Sequence, residues 1–285
     1  MHLLYVIYAL YNTISVWLTK STTRNEGTIM AIEIILIMIA AGLIVGFVGA
    51  GGSGFIISIL TVLFGFPIHV ALGTALASML FSSFSGAVSH YREGNVTLRA
   101  GLIIGIFGAV GAFISSHFSG FIPEDILNYL TAGMLVLSGV VLCIRLLLMG
   151  KPSDKGNTIS AFIYQNKVIY FISAALLGIL TGALSGLFGI GSAPFIQIGL
   201  LILLGLSAQQ SAGTTMMIII PIALAGGVGY AQLGFLDIKL LLEVVAGTMI
   251  GSYVGAKFTK RVRPVYLKTA MVLLPIFAGF LLLSA

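Results

Sequence analysis

The sequence predicts an all-α polytopic membrane protein made of two inverted repeats. Each repeat holds about five hydrophobic segments, one of them a short helix broken by glycines, giving eight to ten spans. Three observations lead there. Of the 285 residues, 59% are hydrophobic and 8% charged, with mean hydropathy +1.14. A soluble domain carries about 25% charged residues, so this chain cannot cover itself with a polar surface in water. Apolar runs long enough to cross a hydrocarbon core of about 30 Å recur, and they are continuous rather than alternating, which selects helices over a barrel. Finally, one half of the chain returns in the other at a constant offset of 140 residues.

Residues 1–29 are read as an N-terminal extension or extra helix, with Tyr5, Tyr8, Tyr11 and Trp17 in an amphipathic run; Met30 is the alternative start. The first transmembrane repeat covers 31–149, with segments at 31–49, 54–66, 68–91, 99–119 and 125–149. The stretch 150–166, opening Gly150-Lys151-Pro152-Ser153-Asp154-Lys155, has the composition of a solvated cytoplasmic linker. The second repeat covers 167–284, with segments at 167–188, 194–205, 208–231, 238–259 and 264–284. Gly42 pairs with Gly182, Gly46 with Gly186, Thr74 with Thr214, Gly86 with Gly226, Gly94 with Gly234 and Gly139 with Gly279, all without a gap. That is internal duplication.

Loop charge sets the relative orientation. Lys257, Lys260, Arg261 and Arg263 mark a cytoplasmic loop, whereas the equivalent first-repeat loop carries His117, Glu124 and Asp125. Arg92 and Arg99 flank another basic loop, and its counterpart holds Asp237 and Lys239. These assignments agree if each repeat crosses an odd number of times, which inverts the second copy. The segment 55–66 spans only about 18 Å as a helix. Either it crosses with the help of the glycine break, or it is re-entrant, leaving eight spans and parallel repeats.

The breaks are Gly46-Phe47-Val48-Gly49-Ala50-Gly51-Gly52-Ser53-Gly54-Phe55 and Gly186-Leu187-Phe188-Gly189-Ile190-Gly191-Ser192-Ala193-Pro194-Phe195. An interior glycine costs a helix about 1 kcal/mol relative to alanine, so such density interrupts the backbone. Broken backbone at membrane depth is tolerated where it is buried in protein or lines a wet cavity. The short helices then begin near Ser53 and Pro194 and aim their N–H groups and positive dipole ends at the breaks, an anion site that needs no lysine. The candidate substrate-binding residues are therefore Gly49, Gly51, Gly52 and Ser53, Gly189, Gly191 and Ser192, with the matched hydroxyls Thr74 and Thr214. The seams Gly42-x-x-x-Gly46, Gly101-x-x-x-Gly105 and Gly247-x-x-x-Gly251-x-x-x-Gly255 are read as helix packing instead.

Glu243, early in its segment, is a candidate for proton coupling set against interfacial snorkelling. His90 at the end of its segment reads as a loop residue. Gln197, Gln209 and Gln210 have no amide counterparts in the first repeat, which places a polar substrate or marks an interface. The sole cysteine, Cys143, excludes an intramolecular disulfide, and His2, His69, His90 and His117 lack metal-ligand spacing. No catalytic set, cofactor motif or metal site emerges, so the chain is not expected to be an enzyme. Gly49–Gly54 matches G-x-G-x-x-G formally, without the strand a nucleotide site requires. The net charge of +6 follows from cytoplasmic loops and implies no nucleic-acid partner.

Leu72-Gly73-Thr74-Ala75-Leu76, Gly86-Ala87-Val88-Ser89-His90-Tyr91 and Gly94-Asn95-Val96, following the first break, resemble the sulfite exporter TauE/SafE family. Ala212-Gly213-Thr214-Thr215, Gly226-Gly227-Val228-Gly229-Tyr230 and Leu233-Gly234-Phe235 are similar to its second half. The resemblance covers about residues 31–284. It implies a multi-pass cell-membrane transporter for small anions such as sulfite or organosulfonates, with the substrate and the lipid bilayer as partners. With no P-loop, transport would be secondary; the resemblance implies an exporter, working by alternating access at a midplane site between the repeats. A non-transporting membrane subunit or a membrane-embedded enzyme is the alternative.

Overall fold

The computed structural model describes residues 26–48, 53–148, 166–190, 192–258 and 262–284. The chain divides into two units, residues 1–33, described over 26–33 as helix, and residues 34–285, which carry the helical bundle. Ten helices are present among the described residues: α1 (Glu26–Val48), α2 (Ser53–Ser58, prolonged by a π-helical turn Ile59–Leu63), α3 (Ile68–Arg92), α4 (Leu98–Ser119), α5 (Glu124–Leu148), α6 (Lys167–Phe188), α7 (Ala193–Leu203), α8 (Ala208–Gln232), α9 (Ile238–Phe258) and α10 (Pro264–Leu283). Eight are long and apolar enough to cross a membrane; α2 with its π turn and α7 are short.

Element bounds recur 140 residues apart, α3 with α8 and α4 with α9. So do the turns. The Phe66 N–H donates to the Leu60 carbonyl as Leu206 does to Leu200, and Asn95 to His90 as Phe235 does to Tyr230. Gly65 and Gly205, and Gly94 and Gly234, hold positive φ at those turns, where an L side chain is strained.

The small-residue seams fix how the long helices lie together. Gly247, Gly251 and Gly255 of α9 sit against the Ile35, Ile39 and Leu43 carbonyls of α1, so the two run parallel. In the other copy Gly178, Gly182 and Gly186 of α6 sit against the Ile104, Gly108 and Ala112 carbonyls of α4, again parallel. Gly101 and Gly105 of α4 meet Met217 and Pro221 of α8 in parallel register too. By contrast α3 and α8 cross antiparallel, Gly86 facing Met216 and Gly226 facing Leu76, and α5 pairs antiparallel with α10 through Gly139 on Val272 and Ile276 and Gly279 on Ala132 and Val136. Without a water-driven hydrophobic force between helices in lipid, close backbone approach at small residues supplies the packing energy.

Helices α3 and α8 form the centre: 72% and 67% of their apolar windows are buried, against 44% or less in the other six. Leu102, Ile106 and Val110 make an exposed stripe on the outside of α4, suited to lipid.

Candidate functional site

A helix that stops at a break leaves its last carbonyls without partners. At the end of α1 two side chains supply them: His90 Nε2 lies 3.2 Å from the Gly46 carbonyl and the Gln197 amide donates to the Val48 carbonyl at 3.3 Å. At the end of α6 the Tyr230 hydroxyl lies 3.4 Å from the Leu187 carbonyl and 2.9 Å from Ser119 Oγ. His90 and Tyr230 are equivalent residues of the two copies. His90 is fully buried in the last turn of α3, not in a loop as the sequence suggested; its tertiary partner lies 44 residues away and leaves no local trace.

The short helices start at Ser53 and Ala193, with Pro194 inside the first turn of α7. Gly189 (φ +62°) and Ser192 (φ +46°) both turn left-handed to redirect the chain, and Gly189 lies so close to Leu72 that a Cβ would fall 2.6 Å from its Cδ2 and 2.9 Å from its Cβ. Gly54 and Phe55 from one break and Ile190 and Pro194 from the other line a single half-open cavity of about 20 Å³, together with Leu135, Leu274, Pro275 and Ala278. That volume suits about one water molecule, and the walls are apolar. Beside it, Ser58 Oγ bonds the Gly54 and Ala278 carbonyls at 2.8 and 2.7 Å, at the step from α-helix to π-helix.

Of the residues singled out from sequence, Gly49, Gly51, Gly52 and Gly191 lie outside the described residues. Ser53 and Ser192 are buried, with hydroxyls that find no partner among the described residues. Thr74 is the same, whereas Thr214 Oγ1 accepts the Thr97 N–H at 3.0 Å. The two threonines are not brought together. Gly73 rests on Tyr230 and Phe235, Gly213 on His90 and Asn95; the α3 residues at those two levels are about 25 Å apart along the helix. Glu243 is half-buried one turn before Gly247, which packs on Ile35, at the far end of α1 from the break. Ser78 and Ser82 bond carbonyls one turn back, and Gln210 completes a capping box with Ser207 at the start of α8.

Sequence reasoning passed over His90 and Asn95. A signal existed. Comparing the copies by chemical type, instead of by identity, sets His90 against Tyr230, Asn95 against Phe235 and Gln197 against Ile57.

Comparison with known proteins agrees with this architecture. The model of the family described as "Sulfite exporter TauE/SafE" matches residues 34–282. The chain is 54% identical over 250 residues to "Probable membrane transporter protein YdhB" of Bacillus subtilis (strain 168), covering 88% of this chain and 99% of that one. It is 28% identical to "Probable membrane transporter protein YjnA" of the same organism over 248 residues, covering 81% and 93%. It is 27% identical to "Probable membrane transporter protein MJ0441" of Methanocaldococcus jannaschii over 258 residues, covering 81% and 89%. No solved structure matches it. With its eight membrane-length helices and a family match over nearly the whole described fold, the chain belongs to the sulfite exporter TauE/SafE family, a family of membrane transporters and not of enzymes.

Proposed function

We propose that the protein is a secondary transporter, working as an exporter, that moves small anions such as sulfite or organosulfonates by alternating access between two inverted repeats. The observation that carries this reading is the shared cavity: the starts of both short helices, at Gly54 and Pro194, open onto one space. Two helix N-termini from opposite directions on one point make a place where charge is stabilised without a lysine.

The helix registers support the inversion. Helices α6 and α8 both run parallel to α4. The chain between them must therefore return across the membrane through α7. For the first copy, α9 folds back from α8 through the turn at 233–237, α8 is antiparallel to α3, and α1 is parallel to α9. Thus α1 and α3 also share a direction, and α2 returns between them. Each repeat then crosses five times, and equivalent helices point in opposite directions. The charges fit this. Arg92, Arg99, Arg145, Lys167, Lys257 and Arg263, with Glu93, fall at one end of the bundle, while Glu124, Asp125 and Asp237, with the single Lys239, fall at the other; the excess of Lys and Arg favours the first end as cytoplasmic.

In this conformation the cavity holds about one water molecule, so a sulfur oxyanion would enter it only after its walls move apart. Liposomes containing purified protein test the reading. Sulfite, thiosulfate or sulfonate flux without ATP is the expected result, with Gly51→Leu and Gly191→Leu losing it at normal expression. No flux across the whole anion panel overturns the reading, and intact flux in both leucine variants removes the breaks from the site.

A further inference from the structure

The two copies share one backbone plan, so residues that differ in chemistry between equivalent places carry what the symmetry does not require. At the first break the ring of His90 commits Nε2 to the Gly46 carbonyl, so that nitrogen carries the hydrogen, and Nδ1 of the neutral ring is a buried lone pair without a partner among the described residues. Asn95, 4% exposed, buries an amide nitrogen that also finds no partner there, and so does the fully buried hydroxyl of Thr215. A chain of contacts links the places these groups occupy. Gly213 touches both the Asn95 carbonyl and the His90 Cβ, and Thr215 stands one turn along α8 from Ser211, whose hydroxyl bonds the Gln197 carbonyl. Gln197 in turn reaches the Val48 carbonyl, next along α1 from the group His90 holds.

At the second break the equivalent positions are Tyr230, Phe235, Ala75, Ala71 and Ile57. Among the described residues near the second break, the unpartnered groups include the hydroxyls of Thr74, Ser185 and Ser192. A hydroxyl can rotate onto a helix carbonyl one turn back; a ring nitrogen and an amide nitrogen fixed by the fold cannot. Leaving such groups buried and unmade costs free energy, which a ligand would recover. Arg92 and Arg99 stand on either side of Asn95 in the chain, so the first break also lies under the positive end of the bundle.

We propose that the substrate is recognised at the first break by His90, Asn95 and Thr215, and that it is a small oxyanion carrying one proton. The ligand O–H donates to His90 Nδ1, while the Asn95 N–H and the Thr215 O–H donate to its charged oxygens. Gln197 positions the site by holding the end of α1. This rests on the transport reading and locates the recognition at one break only, between His90 and Asn95 of the first repeat and Thr215 of the second.

The test uses full-length protein in liposomes, with sulfite under mildly acidic conditions, where it carries a proton, and methanesulfonate, which carries none. His90→Gln keeps a donor for the Gly46 carbonyl and removes Nδ1; Asn95→Asp keeps shape and opposes an anion; Thr215→Val keeps volume. Each is expected to raise the half-saturating sulfite concentration at least about tenfold, with Ser185→Ala at the second break staying within about twofold of wild type. Wild type should prefer sulfite to methanesulfonate, and His90→Gln should lose that preference. Any variant that fails to elute as a folded species is replaced by the other two, since the three act on separate helices and loops. Wild-type kinetics in His90→Gln and Asn95→Asp overturn this proposal while leaving transport intact. A wild type that carries no oxyanion overturns the transport reading itself.

Discussion

A single methyl group at Gly251 measures how close α1 and α9 lie. A Cβ there would fall on the Ile39 carbonyl, 2.7 Å from the Leu43 nitrogen and 2.8 Å from the Gly42 carbonyl carbon. All three are backbone atoms, so no rotamer change gives relief. Ordinary contact begins near 3.4 Å, and the helices must part by at least 0.7 Å to reach it. A gap of that size forfeits a quarter to a half of the dispersion energy of the contacts it opens. Overpacking of this kind costs about 1–3 kcal/mol, roughly 2–4 °C in Tm per kcal/mol for a chain of this size class. Gly251→Ala should therefore lower the midpoint of thermal unfolding by several degrees, measured in detergent by fluorescence size-exclusion after heating. Gly111, its equivalent on the α4–α6 seam, meets the Ile179 carbonyl in the same way and should behave alike. Gly133 is the opposite case. Nothing lies within 4 Å of its added Cβ, and Gly133→Ala should leave the midpoint unchanged or raise it through helix propensity, worth about 1 kcal/mol. If Gly251→Ala and Gly133→Ala melt together, the backbone approach that organises both copies is refuted.

Three further outcomes are expected from the same geometry. In a Cys143→Ser background, Phe121→Cys in the α4–α5 turn should label with a membrane-impermeant maleimide only from outside and Glu93→Cys in the α3–α4 turn only from inside; labelling of both from one side contradicts the inverted arrangement. Ser207→Ala removes the capping box of α8 and should cost about 1 kcal/mol, seen as a lower melting midpoint with unchanged substrate affinity; a large affinity loss would place Ser207 in the site. An uncoupled monoanion feels about 2.3 kcal/mol per 100 mV, equal to roughly fiftyfold in its equilibrium ratio. Sulfite flux should accordingly follow an imposed potassium diffusion potential, and flux that ignores voltage but needs a proton gradient would bring Glu243 forward as the coupling group.

The helices were legible because the lipid environment makes their signal one-dimensional: long apolar runs, ended by Gly65-Phe66-Pro67 or Gly234-Phe235, leave little choice of element. The short helices were legible for the same reason, since Pro194 and the glycine clusters interrupt otherwise continuous runs. The site was legible only in part. Thr74 and Thr214 match across the copies, yet the antiparallel crossing of α3 and α8 carries equivalent residues to opposite ends, so sequence equivalence implies separation here. His90 looked like loop punctuation because the carbonyl it serves belongs to α1, and nothing local to residue 90 reports that contact.

Two inverted copies, as proposed for this chain, would have a built-in exchange: whatever packing one copy adopts, the other can adopt in its place. Perfect symmetry would make the two resulting states equal in energy and the transporter without sidedness. Sidedness must then come from residues that break the match. At the end marked by Glu124 and Asp237 the unmatched residues interlock: Phe235 stacks on His69 at 4.6 Å, His69 Nε2 lies 3.3 Å from the Ser119 carbonyl, and Tyr230 reaches Ser119 Oγ. At the basic end their counterparts Asn95, Gln209 and His90 form no such aromatic lock among the described residues, and leave buried nitrogen atoms unmet. The same substitutions that close one end with aromatic contacts thus give the other its polar groups. On the proposed reading, a substrate that satisfies those groups would stabilise the state in which the basic end holds it, and the residues proposed to recognise the anion would also decide from which side it is taken.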